Sequence, residues 1–394
     1  MKRILRRVGI HWLPGSQNEH NAWHSVLLTA LRVFAALQVA AGHLRSELFP
    51  GLRSLASPPL AYQGLAFITG FAHQGVVLLF LISGYLVGGK LIDRIGELEA
   101  IKHYAIDRLA RLWTVLVPCL LLILLMGIAV GKISPARPDL FGASEFSGAT
   151  LVGNLLGLQH LAVDNYGGSY SLWTLAHQSS YYVLFPLLLI GAGSGRTGAR
   201  FGAAFAALAL VLWLPASIVL YASVWLLGAL FSRIRLDCSR RARGIFCAVA
   251  IGTGVYYRLF GLKDDIVAAS LFQDLVFCIT VLLFLACMRG PVASASASAR
   301  PQAWRRLLDG LAGFTFTLYV LHVPLIGLLR HFAGSFGALS PGAGHLSPAV
   351  PMHYAVYVGA LVIILAASYL CSLAFEARTH AIRDLVKNGL GLTR

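Results

Sequence analysis

Ten stretches of the chain are apolar over lengths that suit a membrane span, at roughly 26–46, 65–87, 109–130, 171–192, 201–214, 216–233, 243–260, 266–288, 311–332 and 353–375. A helix needs about 20 such residues to cross a hydrocarbon core some 30 Å thick. The pattern predicts an all-α fold, a polytopic integral membrane bundle of about ten transmembrane helices. The fifth stretch is short and meets the sixth at Pro215, so the two read as a tight hairpin or one broken unit. Residues 149–161, TLVGNLLGLQHLA, are too short to span and suit a re-entrant or interfacial helix. Residues 290–302, GPVASASASARPQ, have the composition of a flexible linker. The largest loop, 131–169, is rich in Gly and Ser and long enough to cover a site.

Composition places these helices in lipid. Of 394 residues, 57% are hydrophobic and 12% charged, with a mean hydropathy of +0.73; a soluble domain cannot hide that much apolar surface. The net charge of +16 would suggest nucleic acid in a soluble protein, but its distribution is topogenic. With the N-terminus inside, 24 of the 32 Lys and Arg fall on inner segments and seven on outer loops, Arg32 lying within the first span. The positive-inside rule then puts both termini in the cytoplasm, and no nucleic-acid partner is required. The first 22 residues hold Lys2, Arg3, Arg6, Arg7 and Pro14 without a signal-peptide apolar core, so the first span is expected to stay as an anchor. Six cysteines, Cys119, Cys238, Cys247, Cys278, Cys287 and Cys371, include no C-x-x-C pair and read as small buried hydrophobes, neither a disulfide framework nor a metal site.

Against this background a few polar residues stand out. LLTALRVFAALQVAAGHLRSELF, residues 27–49, carries Arg32 and His43. An arginine at the bilayer centre costs about 2.5–3.5 kcal/mol even on insertion scales. Eleven residues of helix separate the two by about 16 Å and bring them within about 20° of one face. Arg32 then sits in the inner half and His43 near the outer boundary. The plain alternative is that Arg32 snorkels and His43 rests at the interface. In the second span Ser83-Gly84 is either a site element or a small-residue packing notch. Arg108 and Arg111 form a basic lip at the inner end of the third span, which Pro118 is expected to break; they serve as positive-inside anchors or as forks for an anionic ligand. The fourth span opens with Trp173, His177, Gln178, Tyr181 and Tyr182, which an aromatic belt explains only in part. The ninth holds Tyr319 and His322 beside Pro324, and Asp274 and Glu376 are further charges at or near membrane depth.

In their order along the chain these pieces resemble the membrane-bound acyltransferase type 3 family, over about residues 26–380. LRVFAALQVAAGH matches its Arg-ten residues-His signature, and GVVLLFLISGYLV its Gly-Val-Asp-Leu-Phe-Phe-x-x-Ser-Gly stretch. DRLARLWTVLVP matches its Arg-rich third span, LWTLAHQSSYYVLFPLLL its Trp-Ser-Leu element, and FTLYVLHVPL its Tyr-x-x-His-x-Pro element. Two positions depart: Val77 stands where many members have Asp, and Gln178 where Glu is common. Glutamine can orient a substrate but cannot accept a proton; if the family carboxylate is catalytic, this chain must use something else, and His177 is adjacent.

The resemblance implies a bacterial inner-membrane O-acyltransferase, with residues 1–22 and 381–394 as cytoplasmic tails flanking a transmembrane domain over 23–380. It implies acyl-CoA, in the common case acetyl-CoA, as co-substrate, no permanently bound cofactor or metal, and a surface or lipid-linked glycan as acceptor. On this reading His43 is the general base. Arg32, with Arg108 and Arg111, draws the phosphorylated donor in from the cytoplasm, and Ser83, Trp173, Gln178, His322 and Tyr319 line the cavity. Two other classes remain open: a glycan-intermediate transporter or flippase, which would transfer no label from acyl-CoA, and a non-catalytic partner in polysaccharide assembly, in which His43 is dispensable. A His-four residues-Asp pattern, the mark of a soluble-type acyltransferase, does not occur.

Overall fold

Apolar runs without helix breakers become long helices in the computed structural model, which describes residues 9–16, 22–94, 98–133, 144–262, 266–289, 303–335 and 345–392. The basic residues before position 9, Arg137, Lys263 and the linker 290–302 lie outside the described residues. The chain is predominantly helical. In order it forms α1 (Ala22–Leu48), α2 (Leu60–Ile68), α3 (Ala72–Ser83), α4 (Leu98–Ala129), α5 (Gly148–Leu155), α6 (Trp173–Gly193) and α7 (Thr197–Trp213). There follow α8 (Ala216–Phe231), α9 (Arg240–Phe260), α10 (Leu271–Met288), α11 (Ala303–Ala312), α12 (Thr315–Ser335), α13 (Pro351–Ala374) and α14 (Thr379–Gly389).

Each of the ten predicted stretches is helical, but six helical segments among the described residues are long and apolar enough to cross a membrane. These are Trp23–Ser54, Leu60–Ile92, Glu99–Ala129, Ala268–Met288, Thr315–Ala333 and Pro351–Gly389. The helices α7 and α8 are apolar but only 17 and 16 residues long, while α6 opens on polar residues and α9 carries four arginines. Pro215 caps α8 and separates it from α7 as a two-residue connection, the place where a residue without an N–H costs least. Pro118 does not break the third span: α4 runs through it for 32 residues, as membrane helices tolerate. The short helix expected over 149–161 is α5, eight residues long, whose N-cap Ser147 accepts from Thr150 N.

The chain divides into two compact units. One comprises residues 1–35, 73–104 and 180–312. Here α3 passes through a π-helical turn (Gly84–Gly88) where it meets α8. A Cβ on Gly84 would lie 1.8 Å from the Trp225 carbonyl oxygen, and one on Gly228 2.2 Å from that of Leu81, so the close approach depends on both glycines. Strands β1 (Gly9–Trp12) and β2 (Ile234–Asp237) pair antiparallel, Gly9 opposite Asp237.

The expectation that all six cysteines are thiols is corrected in this unit. Cys238 and Cys287 form a disulfide, Cα–Cα 5.6 Å, across 49 residues. Folding causes it, because β2 lays Leu236 into one apolar cluster with Ala286 and Cys287 at the end of α10. Cys119, Cys247, Cys278 and Cys371 are thiols. Asp274, one of the charges noted at membrane depth, is also accounted for. His73 Nε2 donates to its carboxylate at 2.8 and 3.0 Å, and Tyr221 donates at 2.5 Å while meeting Ser270 Oγ at 2.7 Å.

The second unit comprises residues 36–72, 105–179 and 313–394. Helices α12 and α13 pack together, and Tyr357 on α13 donates to the Ala41 carbonyl of α1 at 2.9 Å. Phe49, fully buried, is surrounded by Tyr62, Tyr354 and Tyr357. Gly42 lets α1 approach the Thr69 carbonyl, which an added Cβ would meet at 2.9 Å. The C-terminal α14 is anchored to α4, with Lys387 2.7 Å from Asp107.

Candidate active site

The chemistry predicted for the first and ninth spans meets in the second unit. His43 on α1 and His322 on α12 face each other with Nδ1 of the first 2.9 Å from Nε2 of the second, their rings nearly parallel at a centroid distance of 5.1 Å. His322 is fully buried, whereas His43 is only half-buried. The hydrogen bonds define the tautomers. His322 Nδ1 lies 2.9 Å from the Tyr319 carbonyl and 3.1 Å from that of Leu318. Carbonyls only accept, so this nitrogen carries the hydrogen, and in the neutral ring Nε2 must accept. His43 Nδ1–H is then the donor of the shared bond, which leaves the lone pair of His43 on Nε2. A buried histidine thus orients its half-buried neighbour.

Helix α6 holds α12 in place. Thr174 donates to the Ser171 carbonyl at 3.1 Å, so its hydroxyl oxygen accepts from Tyr319 at 2.7 Å. The Tyr319 hydroxyl is therefore engaged in helix packing, directly before the turn that presents His322. On the same helix Trp173 stands edge-on to His177 at 5.0 Å, whose Nδ1 faces the Trp173 carbonyl at 3.4 Å. Gln178 follows, half-buried. Glu376 caps the other end of α12: its carboxylate accepts from Thr317 N and Oγ1 at 2.9 and 2.8 Å, stabilising for a helix N-terminus.

Three residues beside the histidines were not singled out in the sequence. Tyr170, in the turn before α6, sets its ring edge-on to His43 at 5.1 Å. The carboxylate of Glu47, which is paired with Arg330, acts electrostatically on the Tyr170 hydroxyl. Partial burial, and then the Glu47 charge, raise the Tyr170 phenol well above its usual range, so it stays protonated beside the carboxylate. Signals for two of them existed: Glu47 follows His43 by one helical turn, and Arg330 lies eight residues beyond His322 on α12.

Of the nine residues proposed from sequence, His43, His322, Tyr319, Trp173, Gln178, Arg108 and Arg111 belong to this unit, whereas Arg32 and Ser83 belong to the other. Arg108 is half-buried and Arg111 exposed on α4, and the charge of Arg111 reaches Glu376. Ser83 accepts from Trp225 Nε1 at 3.4 Å, inside the glycine-lined contact of α3 with α8. Arg32 rides α1, half-buried. Among the described residues no group of three or more His, Cys, Asp or Glu side chains is arranged to hold a metal ion.

An acyltransferase domain family matches residues 26–376, nearly the whole chain. The chain belongs to the acyltransferase type 3 family. Comparison with curated proteins and with solved structures gave no significant match. As a member of this family the protein is a membrane acyltransferase, and the matched segment includes all nine residues singled out in the sequence together with Glu47, Tyr170 and Arg330. For such an enzyme, a half-buried imidazole with a defined lone pair, next to polar groups of both charges, has the features needed to activate a hydroxyl.

Proposed function

We propose that this acyltransferase moves an acyl group, acetyl in the family's common usage, from cytoplasmic acyl-CoA to a hydroxyl of an extracytoplasmic or lipid-linked glycan, with His43 as general base. The observation that carries the reading is the His43–His322 pair, which commits Nδ1 of His43 to donation and leaves Nε2 as the proton acceptor. In direct transfer, Nε2 takes the proton of the acceptor hydroxyl as its oxygen attacks the thioester carbonyl. The C–S bond then breaks, and the proton passes from His43 to the departing CoA thiolate. His322 performs the orienting part that a carboxylate takes in other His-based nucleophile systems. That accounts for a working site in which Gln178 replaces the family's frequent glutamate.

The donor's phosphates call for cations at the inner end of the helices. Arg32 sits eleven residues before His43, about 16 Å of helical rise. Its guanidinium is a fork that matches phosphate, and so, within the other unit, are those of Arg108 and Arg111. Ten spans with both termini in a bacterial cytoplasm, as the charge asymmetry favours, would set Arg32 on the acyl-CoA side and His43 on the glycan side. The same order is consistent with α1 and α12, which belong to odd-numbered spans and would run outward together. Transfer of label from radiolabelled acetyl-CoA to membrane glycan tests the reading. It should occur with the wild-type chain and vanish in His43→Ala at equal membrane abundance. Wild-type membranes that transfer nothing would favour a transporter or assembly partner instead.

A further inference from the structure

Glu47 and Arg330 link the same two helices as the histidine pair, and in the same order: 43 with 322, then 47 with 330. Helices α1 and α12 therefore run in the same direction here, and the ion pair lies further along both. On α1 the displacement is one turn, about 6 Å, close to the width of a sugar ring. Unlike the Asp274 cluster, where the His73 and Asp274 side chains are 5% and 3% exposed, this pair is open: 38% of Arg330 and 30% of Glu47 remain accessible. Ion pairs with that much exposure add little to stability, so a clamp between helices is a poor account of it.

Its chemistry suits hydroxyl recognition. A carboxylate only accepts and a guanidinium only donates, while each sugar hydroxyl does both. Two neighbouring hydroxyls can thus satisfy the pair together. Tyr170 completes the arrangement: the residue is 37% exposed, its ring stands edge-on to His43, and the Glu47 charge acts on its hydroxyl. It offers an aromatic surface of the kind that covers the C–H face of a pyranose.

We propose that Glu47, Arg330 and Tyr170 form the acceptor subsite, holding adjacent hydroxyls of a sugar ring so that another hydroxyl of the same glycan reaches His43 Nε2. This rests on the acyltransfer reading above. The test uses the full chain in lipid nanodiscs, acetyl-CoA as donor, and as acceptor probe the surface glycan of the source strain stripped of acyl groups by mild base. Glu47→Gln and Arg330→Met should each raise the apparent KM for the glycan by about tenfold or more, while the KM for acetyl-CoA moves by less than about twofold. A fall in kcat with the glycan KM unchanged, or an equal rise in both KM values, overturns the subsite. If either single variant fails to fold, the double variant Glu47→Leu/Arg330→Leu replaces the pair by an apolar contact. A subsite still demands the raised glycan KM there, whereas wild-type kinetics would leave only a clamp and overturn the proposal. A wild-type chain that transfers no label removes the acyltransfer reading and the subsite with it; wild-type transfer with unaltered variants removes the subsite alone.

Discussion

Each unit buries a histidine among polar partners, and the two arrangements differ in what they leave undone. Around Asp274 the accounting is closed: His73 and Tyr221 donate to its carboxylate, Ser270 meets Tyr221, and the pair is almost wholly screened from solvent. Around His43 it is open. His322 spends its one ring N–H on carbonyls and its lone pair on His43, and the half-buried His43 retains a proton-accepting nitrogen beside an accessible ion pair. A satisfied network in a low-dielectric interior holds structure together. One that stops short, with an oriented lone pair at its edge, is suited to reaction. The comparison teaches that ionisable residues at membrane depth must be judged by whether their hydrogen-bonding capacity is used up.

The largest separation between the two should come from paired alanine substitutions. His43→Ala is expected to lower acyl transfer by about 10²–10⁴-fold, the usual share of a general base, with membrane abundance and melting temperature in nanodiscs held. Asp274→Ala should do the reverse: loss of one partner of a buried pair costs about 3–5 kcal/mol. Abundance should collapse, with any surviving protein keeping its specific activity. Abundant, well-folded Asp274→Ala protein without activity would move that cluster into the catalytic machinery and erase the contrast.

Next in size is His322→Ala, which should reduce kcat by about one to two orders of magnitude, as misorientation of a base does. Both KM values should change little; an unaltered kcat would mean that the His–His contact is incidental. Arg32→Ala is expected to raise the KM for acetyl-CoA by about tenfold and the acceptor KM much less, given the strength of a charge-assisted hydrogen bond. Lower abundance with unchanged kinetics would mark Arg32 as purely structural. Smallest should be Gln178→Glu. If His322 already does the orienting, kcat should shift by less than about threefold, and a large gain would show that the missing carboxylate limits the enzyme.

Much of the fold was legible without coordinates because lipid imposes a simple code. Backbone groups must be satisfied within each segment, so apolar length alone announced a helix at each of the ten stretches. The ordered motifs led to the family that the domain match establishes. The same one-dimensional logic failed where partners come from afar. The Cys238–Cys287 bridge spans 49 residues without a spacing motif, and Asp274 finds its histidine 201 positions away. Pro118 showed that a local breaker yields to an otherwise strong apolar helix.

By itself, then, the sequence determined that the chain is a helical membrane acyltransferase and that Arg32 and His43 share one face of its first helix. The membrane helices and the shared face follow from composition and the 3.6-residue period, both local, and the acyltransferase class from the ordered motifs that the family match bears out. Only the tertiary structure decided which nitrogen of His43 keeps the lone pair, that His322 directs it, and that Glu47, Arg330 and Tyr170 stand alongside. These depend on contacts between residues up to 283 positions apart. No local propensity encodes such contacts, because packing of whole helices creates them.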